Sequence, residues 1–129
     1  MKVQVRSIDQ ITIIDCSGEI DLYSSPRLRE ALMKAIHPGG PSVVVSLGEV
    51  GYIDSSGIAT LVEALLLTRK THTRFGLFAL RDNARSALEL ARLDKVFNIF
   101  GNEEEAVDKT SSTQPFAGLQ ESDSSRRKS

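Results

Sequence analysis

The chain has 129 residues, 40% of them hydrophobic and 26% charged, and 16 Lys and Arg against 17 Asp and Glu leave a net charge of -1. This is enough apolar material for one core and too little for a second. The balanced charge excludes the strongly basic face that a phosphate backbone demands, so no nucleic-acid partner is expected, and no apolar run approaches the roughly 18 residues that cross a bilayer, so no direct membrane insertion is expected either.

The opening residues Met1-Lys2-Val3-Gln4 lead into a polar-apolar alternation with no secretory h-region, which points to a cytoplasmic protein. Apolar residues alternate over residues 2–7 (Val3, Val5) and again over residues 10–17 (Ile11, Ile13). The alternation predicts an antiparallel hairpin turning at Ile8-Asp9. Cys16 continues the second strand, where a buried small hydrophobe is expected, and a single cysteine has no internal disulfide partner. Ser24-Ser25-Pro26 reads as a serine N-cap followed by proline at the first helical position. A helix is therefore predicted with Leu28, Ala31, Leu32, Ala35 and Ile36 on its buried face, stopped by Pro38-Gly39-Gly40-Pro41. His37 is expected to act as a helix C-terminal cation.

The run Ser42-Val43-Val44-Val45-Ser46-Leu47 predicts a strand covered on both faces. After Asp54-Ser55-Ser56-Gly57, the residues Ile58, Leu61, Val62, Leu65 and Leu66 recur at helical spacing to about Thr71. His72 joins Arg69, Lys70 and Arg74 in a solvated basic rim. A second strand is predicted over residues 75–80 and a third helix over 83–91, with Ala84, Ala87, Leu88 and Ala91 as its apolar stripe. A short apolar piece at 96–100 precedes Asn102-Glu103-Glu104-Glu105, where an asparagine cap and acid in the first turn signal a last short helix. The ordered domain is expected to span residues 1–107, and the serine-rich stretch 108–129 to be a disordered tail. Two strands, then alternating helix and strand, imply an α/β fold with a mixed sheet and helical crossovers of one hand, with the helices packed on one face.

Tyr52-Ile53-Asp54-Ser55-Ser56-Gly57-Ile58-Ala59 places two hydroxyls and a glycine where a strand-to-helix loop becomes a helix N-terminus. On its own this reads as an ordinary capped helix start, with Ser55 or Ser56 as the cap and Gly57 easing the turn. Asp54 either complements the helix dipole or meets a partner. Asp21 and Asp54 do not make a hydrolytic pair without an enclosed pocket and a positioning group, so no enzyme is expected. One cysteine and two histidines form no familiar metal-ligand set, and no cofactor or metal is expected.

Taken together, Ser17-Gly18-Glu19-Ile20-Asp21, Val43-Val44-Val45-Ser46-Leu47, Asp54-Ser55-Ser56-Gly57 and Ala87-Leu88-Glu89-Leu90-Ala91-Arg92-Leu93 resemble the STAS domain of bacterial anti-sigma factor antagonists over residues 1–107. The resemblance implies a four- to five-stranded STAS-like sheet and a phosphorylated serine at Ser55. It implies as partners an anti-sigma factor that is also a serine kinase, and a serine phosphatase. Unphosphorylated, the protein would sequester the anti-sigma factor and free a sigma factor for transcription; phosphorylated, it would let go. Asp21 matches the family's acidic loop residue, and Asp21, Asp54, Ser55, Ser56 and Gly57 are the expected partner-binding set, flanked by the first two helices. Where many members carry Gly-Leu-Gly after the serines, this chain has Gly57-Ile58-Ala59, which keeps a small residue at the helix start. A phosphate on Ser55 is expected to be tolerated by the first amides and dipole of its helix. The alternative use of the same domain is a constitutive subunit of a lipid-transport ABC system or signalling scaffold. The resemblance leaves the oligomeric state open.

Overall fold

The computed structural model describes residues 1–110. The predicted hairpin is present as β1 (Lys2–Ile8) and β2 (Ile11–Ile20), in register from Lys2 opposite Ser17 to Ile8 opposite Ile11. Its two-residue turn is Asp9-Gln10, one position later than expected, and both residues take left-handed φ values, 48° and 67°. This is the twist a two-residue hairpin loop requires, here achieved without the usual Asn-Gly. Then follow α1 (Ser25–Ala35), β3 (Ser42–Ile53), α2 (Ser55–Thr71), β4 (Phe75–Phe78), α3 (Asp82–Leu90), β5 (Ile99–Phe100) and α4 (Glu103–Thr110). The strands lie side by side in chain order, β1 antiparallel to β2 and all later neighbours parallel.

Alternation along β3 sets the two faces. Val43, Val45 and Leu47 meet Leu28 and Leu32 of α1, Leu61 and Ala64 of α2 and Ala84 and Leu88 of α3 in the larger core. Val44 points the other way, into a smaller cluster with Ile11, Ile13, Phe78 and Ala106 of α4. So α1, α2 and α3 cover one face as expected, whereas α4 departs from the expected one-sided packing and covers part of the other. Its side chain Ala106 lets the helix lie close on the sheet, a choice that binary patterning does not reveal. α4 also continues to Thr110, past the expected domain end at 107; the remainder of the predicted tail, 111–129, lies outside the described residues.

Arg6 on β1 ties α4 down. It donates to Asp15 at 2.6 Å and also binds the carboxylate of Glu103, while Asn102 accepts from the Glu105 amide at 2.8 Å to cap the helix. The Arg6 guanidinium holds the Glu103 carboxyl below its usual range. A depressed carboxyl stabilises the fold fully above the ordinary glutamate value of about 4.3, and that contribution is lost as pH falls through the lowered folded value. Glu103→Gln is therefore expected to show a smaller acid-induced drop in urea midpoint than the wild type across that window.

Cys16 is buried in the larger core, and burial pushes its thiol up to about 12. His37 and His72 are both exposed, the latter closing α2 in a left-handed conformation.

Candidate functional site

The candidate residues converge at the C-terminal ends of β2 and β3. β3 runs to Ile53, six residues beyond the predicted end, and pairs Tyr52 with Glu19 and Ile53 with Ile20. Asp54 therefore follows its strand beside Asp21, and its amide donates to the Ile20 carbonyl at 3.0 Å. The Ile53 amide on the opposite edge donates to Asn83 Oδ1 at 2.9 Å, anchoring the β3 end to α3.

Each loop is closed by its own aspartate. Asp21 Oδ1 accepts from the amides of Tyr23 and Ser24, both at 3.0 Å, and these bonds, that of Ser24 foremost, hold its carboxyl below the usual range. Ser24 does not cap α1 as expected. Its hydroxyl accepts from the Asp21 amide and donates to the Glu19 carbonyl, each at 2.9 Å, so it is spent on closing the loop. At α2 the cap is Asp54, whose Oδ1 accepts from Ser56 N at 2.8 Å and Gly57 N at 3.2 Å.

That assignment corrects the reading of Ser55 or Ser56 as the cap. A carboxylate at the N-cap position outcompetes the hydroxyls that follow it, since it accepts two amides and complements the dipole. Ser55 is left as the first helical residue, exposed, with no capping duty; Ser56 is half-buried. It also changes the account of a phosphate on Ser55. Two of the first-turn amides are already taken by Asp54, so the helix dipole and solvent, rather than those donors, would bear the added charge.

Gly57 lies in the core. A Cβ there would stand 2.5 Å from Ile53 Cγ1 and 2.7 Å from Ile20 Cγ2, so the glycine lets the first turn of α2 rest on the ends of β2 and β3. What it contributes to the site is position, not contact. The exposed face of α2 continues from Ser55 through Ala59 and Glu63 to Leu66, and Arg29 of α1 grips Glu63 with two bonds of 2.8 and 2.7 Å.

Sequence reasoning passed over Leu22, Tyr23 and Tyr52. They are 64%, 90% and 44% exposed around the two aspartate loops, the opposite of what their hydrophobicity suggests. For Leu22 and Tyr23 the signal was position, since large apolar residues in a polar loop have no core to enter; Tyr52 lies at the end of β3, opposite Glu19.

The STAS domain family's sequence profile matches residues 2–106. The anti-sigma-B factor antagonist of Listeria monocytogenes is 31% identical over 99 residues, covering 77% of this chain and 86% of that protein. An anti-sigma factor antagonist from Mycobacterium paratuberculosis has a solved structure with TM-score 0.77 and 26% identity, covering 86% of this chain and 94% of that one. The Bacillus cell fate determinant SpoIIAA in its phosphorylated form shares the fold at TM-score 0.68 and 20% identity, over 84% and 98% of the two chains.

Proposed function

This chain belongs to the STAS domain family, and from that membership we propose that it is an anti-sigma factor antagonist switched by phosphorylation of Ser55. Unphosphorylated, it binds an anti-sigma factor that is also a serine kinase and so frees a sigma factor; phosphorylated, it releases that partner until a serine phosphatase resets it. It acts by binding and catalyses nothing itself. The observation that carries this reading is the exposed Ser55 hydroxyl at the start of α2, relieved of capping by Asp54. At the same end of the sheet Leu22, Tyr23 and Tyr52 are apolar side chains in water, and aromatic residues of this kind anchor protein interfaces. Asp21 and Asp54 shape the two loops, Ser56 adjoins the acceptor, and Gly57 sets the height of the helix beneath it. The relatives' names and the phosphorylated form of a protein of the same fold agree with it. Among the described residues no helix is long and apolar enough to cross a membrane.

Incubation with the cognate kinase and ATP is expected to add one phosphate, read by intact mass, and Ser55→Ala is expected to abolish the gain. A full gain persisting in Ser55→Ala would place the acceptor elsewhere, with Ser56 next to be tested.

A further inference from the structure

The two edges of the sheet are built differently. β5 at one edge is two residues long, a length that offers little to a stray strand. β1 at the other is seven residues long, and its register with β2 runs unbroken from end to end. Proteins that keep such an edge to themselves break it with proline, a bulge or free charge. β1 has neither proline nor bulge, and of its two charged residues Arg6 is already engaged by Asp15 and Glu103. Only Lys2 remains.

We propose that β1 is a dimerisation strand, pairing antiparallel with β1 of a second copy of this chain so that Val5 faces its own counterpart on the two-fold axis. An axis normal to the sheet keeps equivalent faces on the same side, and residues opposite one another on an antiparallel ladder point the same way. Centring on Val5 is the register that overlaps the whole strand. It sets Val3 opposite Ser7, Gln4 opposite Arg6 and Lys2 opposite Ile8.

The charges favour that register and that occupant. Ile8 shares its face with α4 and lines a groove of about 440 Å³ with Val107, Glu103, Glu104 and Asp108. Lys2 lies on this face too, opposite Ser17 and four residues before Arg6 along the strand. In the dimer each Lys2 therefore arrives over the other copy's acidic groove, where exposed Glu104 has no ion-pair partner among the described residues. On the opposite face Val5 is 56% exposed beside Ala31, Ala35 and Pro41, and the second Val5 adds apolar cover there. The Ser55 site follows β3, two strands in from this edge. Antiparallel pairing points the two Ser55 sites to opposite ends, so each copy keeps its own partner-binding face.

Sedimentation equilibrium of the full chain is expected to show a concentration-dependent dimer. Val5→Lys, which sets two like charges on the axis at an already exposed position, is expected to weaken it about tenfold with an unchanged circular dichroism spectrum. Lys2→Glu and Glu104→Lys are each expected to weaken it about tenfold, and the double exchange to restore it. A chain that stays monomeric to its solubility limit, as it would if this edge receives a strand of another protein instead, overturns the proposal. So does a dimer that is indifferent to Val5→Lys, or a double exchange that fails to recover what the single exchanges lose.

Discussion

Ser55→Asp is expected to weaken capture of the anti-sigma factor about hundredfold while leaving the domain folded. One added unit charge about 6 Å from a partner carboxylate costs about 3 kcal/mol at an effective dielectric near 20. The fold tolerates the same charge because Ser55 is exposed and lies at the positive end of α2. Repulsion at the interface is then sufficient for release, and no rearrangement of α2 is needed. Titration calorimetry of wild type and variant against the kinase measures the ratio directly, and an unchanged thermal midpoint shows that affinity, not folding, moved. Equal affinities would instead fit a constitutive subunit of a transporter or scaffold, in which Ser55 is an ordinary surface residue.

The second large effect is on stability. Gly57→Val is expected to cost about 2–3 kcal/mol, because the new side chain must push against Ile53 Cγ1 and Ile20 Cγ2, atoms held by the sheet ends. For a domain of this size each kcal/mol lowers the melting temperature by roughly 4–8 °C, so a drop of about 8–24 °C follows. Gly51→Ala is the control: it lies on the same strand end, and a Cβ there meets nothing within 4 Å. Thermal unfolding followed by circular dichroism should separate the two variants clearly. If they melt together, the close approach of α2 to the sheet is not what Gly57 provides.

Much of the fold could be read from periodicity. The hairpin, the three crossover helices and the continuous apolar start of β3 are local patterns in which side-chain spacing and burial agree. The second half of β3 was not legible, because Gly48, Glu49 and Gly51 interrupt the apolar run; that stretch is held in the sheet by pairing with Gly18, Glu19 and Ile20 across a register shift. The side of the sheet taken by α4 was hidden for a similar reason. It rests on Ala106 against Ile11, Ile13, Val44 and Phe78, contacts between residues far apart in the chain.

At the site, the resemblance of four short blocks singled out Ser55, and the structure leaves its hydroxyl in the open. The division of labour around it was beyond the sequence. Ser24 and Asp54 each had a plausible alternative role, and only the geometry shows Ser24 closing the Asp21 loop and Asp54 holding the amides of α2. The exposure of Leu22, Tyr23 and Tyr52 was missed because apolar residues are assumed to point inward until a structure shows otherwise.

The burial of Cys16 has a practical consequence. Sealed at 2% exposure and held in its protonated form, the chain's one native sulfhydryl is silent towards oxidants and alkylating probes alike. Fluorophores or spin labels attached through a cysteine introduced at the surface will report from that place alone, with no need to remove the natural thiol first.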